Sequence, residues 1–289
     1  MQTQQSFQSQ YTGTLYLVPT PIGNLNDMTF RAVETLQSVD LIAAEDTRNT
    51  QKLLTHFDIK TPQISFHEHN APERIPNLLM RLKNGESIAQ VSDAGMPSIS
   101  DPGHDLVMAA IAEDISVVPL PGANAGLTAL IASGINPQPF LFWGFLPRKH
   151  HELVTTLTRL KNQRETMIFY EAPHRLVKTL QGLLEVLGES RQISVCRELT
   201  KRYEEFIRGN LGEIVNWAQN TQIRGEFVLI VAGNTDNVSE DEVQKQLSIE
   251  QQVTNLIATG NKPNVAIKQV AKQNQLSRQI VYNKYHHLD

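Results

Sequence analysis

The sequence predicts a two-domain α/β protein with a small helical extension at its C-terminal end. Three observations carry this expectation. Short apolar runs of strand length alternate with amphipathic helical segments in two successive sets. A proline-interrupted stretch, residues 135–139, separates the sets and reads as a crossing between domains. Beyond residue 237 the composition shifts towards glutamine, asparagine and lysine, with apolar residues at helical spacing. A chain of 289 residues, 40% of them hydrophobic, gives two domains a sizeable core each. The expected organisation is a disordered tail over 1–12, an N-terminal α/β domain over 13–134, a second α/β domain over 135–236 and a helix-turn-helix-like extension over 237–289.

The elements follow in order. Residues 15–18 form a short apolar run broken by Pro19, Pro21 and Gly23, after which Asp27 or Thr29 can cap a helix carrying Phe30, Val33 and Leu36 on one face. Residues 41–44 read as a second strand that ends in the polar group Glu45, Asp46, Thr47 and Arg48. Ile75, Leu78, Leu79 and Leu82 mark an amphipathic helix stopped at Gly85, and residues 87–92 return as a strand. A helix over 106–112, a strand over 116–120 and an alanine-rich helix opened by residues 121–124 complete the first set. This alternation argues a mostly parallel sheet covered on both faces. In the second set the strands are expected at 166–170, 192–196, 205–208 and 226–232, with helices at 176–187 and 211–218, and residues 234–239 read as a linker. In the extension, Val265, Ile267, Val270 and Ala271 recur at helical spacing, Asn274 can take a left-handed turn, Ser277 can cap, and Ile280, Val281 and Tyr285 begin another face. Lys262, Lys268, Lys272, Arg278 and Lys284 on this pattern suit phosphate contact, although a small capping bundle explains the apolar spacing equally well.

Composition narrows the function. A net charge of −4 leaves any nucleic-acid partner to a local basic surface. The single cysteine, Cys196, excludes an internal disulfide and a CxxC metal site, which fits a reducing cytoplasm. The first ten residues lack the basic and apolar regions of a signal peptide, and no apolar stretch is long enough to span a membrane. The phosphate loop G-x-x-x-x-G-K-[ST], the dinucleotide fingerprint G-x-G-x-x-G, H-E-x-x-H and G-x-S-x-G are all missing. His67 and His69 have a spacing that can bind metal, but strand alternation would also place both on one face, and no metal is expected.

What remains is a set of loops at strand ends. The longest, SDAGMPSISDPG over residues 92–103, leaves a strand with glycines for tight turns, prolines for stiffness, and Asp93 and Asp101 free to meet hydroxyl, amine or cationic groups. Ligands of open α/β sheets sit at that edge. Together with VPTPIGNL (18–25), AEDTR (44–48), PGANA (121–125) and FYEAPHR (169–175), this loop resembles the ribosomal RNA small subunit methyltransferase I family, of the tetrapyrrole methylase fold group. The likeness runs from about residue 13 to 233, and a family-like helical extension covers the rest.

The resemblance implies S-adenosyl-L-methionine as cofactor, methylation of a cytidine ribose 2'-hydroxyl in the decoding region of small-subunit rRNA, and a homodimer. It also implies that Pro21, Asp93, Met96, Ala123, Asn124 and Tyr170 contact the cofactor. For proton removal from the hydroxyl the residues themselves offer Glu45, Asp46 and Lys201, with no ranking between them. Arg48 can hold a neighbouring phosphate. RELTKRY (197–203) supplies basic and aromatic groups, beginning with Arg197, for backbone contact and base stacking, and Arg175 is a further substrate-binding candidate. Two other readings stand beside this one: a C-methyltransferase acting on a tetrapyrrole precursor, and a non-catalytic nucleic-acid-binding ligand sensor.

Overall fold

Five short apolar runs become the strands β1 (Thr14–Leu17), β2 (Leu41–Ala44), β3 (Gln63–Ser65), β4 (Ile88–Val91) and β5 (Ser116–Pro119). In the computed structural model, which describes residues 1, 3–6, 12–99, 103–235, 248–258, 261–274 and 276–287, they pair in the order β3-β2-β4-β1-β5. Every pairing in this sheet is parallel. Parallel strands need crossover helices, which bury both faces, and β2 and β4 accordingly are buried along their whole length. The crossovers are α1 (Phe30–Ser38), α2 (Thr47–His56), α3 (Ala71–Lys83) and α4 (His104–Ala112). Leu36, Ile42 and Leu54 fill one face, and Leu15, Leu78, Ile88 and Leu106 the other. The strand order reverses beside β1 and β4, so the loops leaving these two neighbours diverge at the carboxyl edge and open a crevice there.

The second set is mixed rather than parallel. Strands β6 (Phe140–Phe145), β7 (Thr166–Glu171), β8 (Gln192–Arg197), β9 (Glu205–Asn210) and β10 (Phe227–Val231) take the order β6-β7-β10-β8-β9. Its β6–β7 pair is parallel, and the other pairs are antiparallel. One face is covered by α6 (His150–Leu160), α7 (Leu176–Leu187) and α8 (Leu211–Asn220), through Leu157, Leu180, Leu183 and Ile214. The other face receives α5 (Ala125–Ser133), whose Ala129 and Leu130 pack on Ile168, Cys196, Val228 and Ile230. The helix that follows the last strand of the first sheet therefore belongs to the core of the second. Arg208 of β9 fixes its end by donating to the carbonyls of Ala132 and Ser133 at 2.7 and 3.0 Å, while Gly134 turns left-handed at φ 82°. Residues 1–234 form one compact unit that contains both sheets.

Residues 235–289 form a second unit. Its helices α9 (Ile249–Ala258), α10 (Pro263–Gln273) and α11 (Arg278–Tyr285) bury Val253, Ile267, Val270 and Val281. Ser277 caps α11 by accepting the Ile280 N–H.

Several expectations need correction. In the tail, the Gln4 side-chain amide exchanges two 2.9 Å hydrogen bonds with the Val117 backbone at the β5 edge, while residues 2 and 7–11 lie outside the described residues. The polar end of β2 continues into α2, and β3, β6, α6 and α9 also go beyond the sequence reading. His67 and His69 follow β3 in a loop rather than sharing a strand face. Asn274 is not left-handed (φ −95°); its amide donates instead to Gln252 and to the Val270 carbonyl. Ser100, Asp101 and Pro102 of the long loop, and 236–239 of the linker, lie outside the described residues.

Candidate active site

At the carboxyl edge of the first sheet, backbone pairing assembles the loops before any side chain is considered. The N–H groups of Thr20 and Gly95 each donate to the other's carbonyl at 3.0 Å, and Thr20 Oγ1 donates to the Ser92 carbonyl. Gly95 holds φ 80°, a conformation that glycine adopts without strain. This clamp fixes the β4 loop against the β1 loop. Next to it, Asp93 ties β4 to β2. Its Oδ1 accepts the Asp46 N–H at 3.2 Å, its Oδ2 accepts the Asn49 amide at 3.0 Å, and its own N–H donates to Glu45 Oε2 at 3.1 Å. Two carboxylates thus stand side by side, each held through backbone.

The loops enclose a cavity of about 760 Å³, within the range typical of small-molecule sites. Glu45, Asp93 and Met96 form one wall, and the start of α5 continues it. There Asn124 caps the helix by accepting the Leu127 N–H at 2.8 Å, and its amide lies 3.7 Å from the Met96 sulfur. The opposite wall comes from the second sheet. Tyr170 accepts the Gly126 N–H at 3.1 Å through its hydroxyl and meets Phe142 and Phe145 edge-on. Most of the remaining lining is apolar, including Ile22, Leu127 and Val228.

A third side is the turn between β8 and β9. Lys201 reaches the cavity and forms ion pairs with Glu226 at 2.7 Å and Glu198 at 3.0 Å. Desolvation pulls its ammonium pKa down, but the hydrogen bonds to Glu226 and Glu198 outweigh this and leave it above the usual lysine value. Burial likewise raises Glu198, and the Glu226 N–H and Lys201 outweigh it, so that carboxyl is held below its usual range. Lys201 is therefore a fixed cation at neutral pH.

The structure brings Glu45, Asp93, Met96, Asn124, Tyr170 and Lys201 to one cavity. Pro21 lies on the β1 loop next to Ile22, and the Ala123 carbonyl lies close behind Gly95, 3.5 Å from where a Cβ there would sit. Asp46 sits one residue behind the wall as the N-cap of α2. Its side chain receives the Arg48 guanidinium and backbone N–H, which hold the carboxyl at about 2. Arg48 itself is 87% exposed beyond that pair. Arg197 donates to the Arg224 carbonyl and pairs with Glu205. Arg175, the further substrate-binding candidate, is engaged within the protein. Its guanidinium donates to the Leu146 and Pro147 carbonyls and pairs with the fully buried Glu171 at 3.2 Å, which makes it a strut under the wall. Sequence reasoning missed Phe140, Phe142, Phe145, Leu127 and Glu226. The alternate phenylalanines 140 and 142 carried a usable signal, since residues two apart share one face of a strand. Among the described residues no group of three or more His, Cys, Asp or Glu side chains could hold a metal ion, and no helix is long and apolar enough to cross a membrane.

Comparison with known proteins matches residues 14–215 to the family Tetrapyrrole (Corrin/Porphyrin) Methylases. The chain is 56% identical over 289 residues to "Ribosomal RNA small subunit methyltransferase I" of Streptococcus pyogenes serotype M1, covering 100% of both chains. It is 52% identical over 276 residues to the protein of the same name from Bacillus subtilis (strain 168), covering 95% of this chain and 94% of that one. Among solved structures, the uroporphyrin-III C-methyl transferase of Thermus thermophilus complexed with S-adenyl homocysteine superposes with a TM-score of 0.53 at 17% identity, covering 76% of this chain and 97% of that one. Diphthine synthase gives 0.59 at 10% identity, covering 76% and 90%. At those identities the structures establish the shared fold, and the near-full-length relatives establish the narrower relationship. The chain belongs to the ribosomal RNA small subunit methyltransferase I family and has the tetrapyrrole methylase fold.

Proposed function

We propose that this chain is an S-adenosyl-L-methionine-dependent methyltransferase that modifies the ribose 2'-hydroxyl of a cytidine in the decoding region of small-subunit rRNA. The single observation that carries the reading is one apolar cavity bounded by paired carboxylates on one side and aromatic faces on the other, in a chain 52–56% identical to proteins named for rRNA methylation. A cytoplasmic homodimer is proposed with it. Exposed Ile131 and Trp143 provide apolar surface for a second copy.

The residues present fit the cofactor. Asp93 accepts two hydrogen bonds, and a carboxylate has about four lone-pair sites, so it can also receive an ammonium group. Met96, Ile22 and Leu127 offer apolar contact, Tyr170 and Phe142 offer aromatic edges and faces, and the turns at Pro21 and Ala123 present backbone groups. When bound, S-adenosylmethionine supplies a methyl group made electrophilic by its sulfonium.

The protein's remaining task is to orient the entering hydroxyl and take its proton. Glu45, Asp46 and Lys201 are not equivalent for this. Lys201 is held protonated by two carboxylates, and Asp46 is a weak proton acceptor because Arg48 stabilises its anion. Glu45 lines the cavity and is fixed by the Asp93 N–H, which positions it to accept the proton. In this reading Arg48, exposed beyond its pair with Asp46, and Arg197 meet phosphates of the entering strand.

The test is transfer of label from S-adenosylmethionine to small ribosomal subunits, with a porphyrinogen precursor as the parallel substrate and mass spectrometry of the RNA fragments. A ribose-methylated cytidine is the expected product. Label in the porphyrinogen alone, or salt-dependent RNA binding with no transfer to either substrate, would overturn the assignment in favour of a tetrapyrrole methylase or a ligand sensor.

A further inference from the structure

The turn between β8 and β9 has an inner and an outer side, and the site described so far uses only the inner one. Leu199 and Lys201 line the cavity, and the Lys201 stem packs so closely on Gly23 that a Cβ there would come within 2.4 Å of it. The turn is rigid. Glu198 and Thr200 both hold left-handed backbone, at φ 49° and 66°, a conformation strained for such side chains and retained only where surroundings impose it. Those surroundings are the Lys201 ion pairs, the Thr200 N–H donating to Glu204 Oε2 at 2.7 Å, and the Glu204 N–H donating to the Lys201 carbonyl.

This arrangement engages the acidic groups of the hairpin, with Glu198 largely covered and Glu204 and Glu205 paired at the surface. Glu198, Glu204 and Glu205 all have partners within the hairpin: Lys201, the Thr200 N–H and Arg197. Beside them at the tip, Arg202 and Tyr203 are exposed and have no acidic partner among the ion pairs of the hairpin. Arg202 places its guanidinium 5.6 Å from the centroid of the Tyr203 ring, and Tyr203 is nevertheless 65% exposed. A cation beside an exposed aromatic ring matches what single-stranded RNA presents, a phosphate followed by an unstacked base. Tyr203 follows cavity-lining Lys201 by two residues, so the two Cα atoms lie within about 7 Å of each other on the same turn.

We infer that Tyr203, backed by Arg202, is the platform on which the base neighbouring the acceptor nucleotide stacks. The inference rests on the RNA-methylating reading and adds to it the residue that registers the strand. Tyr203 touches neither cofactor nor reacting atoms in this role and is a positioning residue.

The experiment measures methylation of small ribosomal subunits, cofactor affinity and thermal unfolding for Tyr203→Ala, Tyr203→Leu, Tyr203→Phe and Tyr203→Trp in the full chain. The alanine and leucine variants are expected to raise the KM for subunits roughly 5- to 100-fold. Their kcat, cofactor affinity and unfolding temperature should stay near those of the unsubstituted chain, and phenylalanine and tryptophan should restore KM. Tyr203→Trp should also lose emission on adding an RNA oligonucleotide of the target sequence, beyond the change given by Trp143 and Trp217 in the unsubstituted chain. An unchanged KM in the alanine variant, a leucine variant as good as phenylalanine, or no added quench would overturn the platform. No label transfer by the unsubstituted chain would instead fail the enzymatic reading, and the quench, which needs no turnover, still decides the platform.

Discussion

Glu45 and Asp46 are adjacent in sequence and chemically alike, and their surroundings give them different tasks. Asp46 spends its oxygens on the first turn of α2 and on Arg48, whereas Glu45 faces the cavity. Replacing Glu45 by Gln keeps the shape and removes the proposed proton acceptor, so kcat is expected to fall about 100-fold or more while cofactor affinity holds. Asp46→Asn should leave kcat within about tenfold, because the amide oxygen can still cap the helix. Equal losses in the two variants, measured as kcat on subunits, would show that the environments do not separate the roles. The depressed Asp46 pKa has its own consequence for pH. A carboxyl at about 2 in the fold and 3.8 unfolded contributes stability that is fully present above about 3.8 and lost as pH falls through about 2. A carbon-detected NMR titration of Asp46 should therefore show its midpoint well below the usual aspartate range, and a midpoint at 3.8 would contradict the Arg48 pairing. Asp93 is the third carboxylate. Asp93→Ala removes both the proposed cofactor anchor and the tie from β4 to β2, and calorimetry is expected to show loss of S-adenosylmethionine binding with the fold retained. Unchanged affinity would reduce Asp93 to a turn former.

At the level of elements, the turn from β7 into α7 shows how a motif can be legible while the job of one of its residues is not. In FYEAPHR, Tyr170 faces the cavity, and Arg175 points behind it to Glu171 and the carbonyls of the β6–α6 connection. Arg175→Ala leaves a fully buried carboxylate without its cation and is expected to destabilise the protein by about 3 kcal/mol. A lower denaturant midpoint with an unchanged slope is the measurement, and a stable variant with weakened RNA binding would restore the substrate role. The same distinction explains what the sequence made readable. Strands β2, β4 and β10 announced themselves as mainly apolar runs because they are buried along their whole length. Strand β3 has three half-buried residues, too few for any periodicity, and β6 is half-exposed and interrupted by Gly144 where its register shifts. Helix α2 was hidden by its polarity, since Thr47 and Arg48 read as part of the polar end of β2 and Asn49 and Gln51 add no apolar signal. The site was legible where backbone chemistry demanded particular residues, as at Gly95 and Asn124. It was illegible where a strand pairing absent from the sequence supplied the wall, as with Phe140, Phe142 and Phe145.

For the whole molecule, the two compact units allow cofactor binding and strand capture to be tested apart. Every described residue lining the cavity belongs to the unit formed by residues 1–234. The helical unit carries Lys262, Lys268, Lys272, Arg278 and Lys284, all exposed, around a small apolar core of its own. Counterion release then makes a quantitative forecast. Each phosphate neutralised on a single strand contributes about −0.7 to the slope of log K against log salt. A chain ending at Asn234 should keep the cofactor affinity of the full protein yet bind rRNA more weakly, with a salt slope flattened by up to roughly 3.5. Charge-neutral substitution of the five cations in the full chain should reproduce the change in slope without removing the bundle, which separates phosphate contact from packing. If the shortened chain methylates subunits with the same KM and the same salt response, the basic helices serve the bundle alone, and strand capture must be assigned to the cationic edges of the cavity-bearing unit.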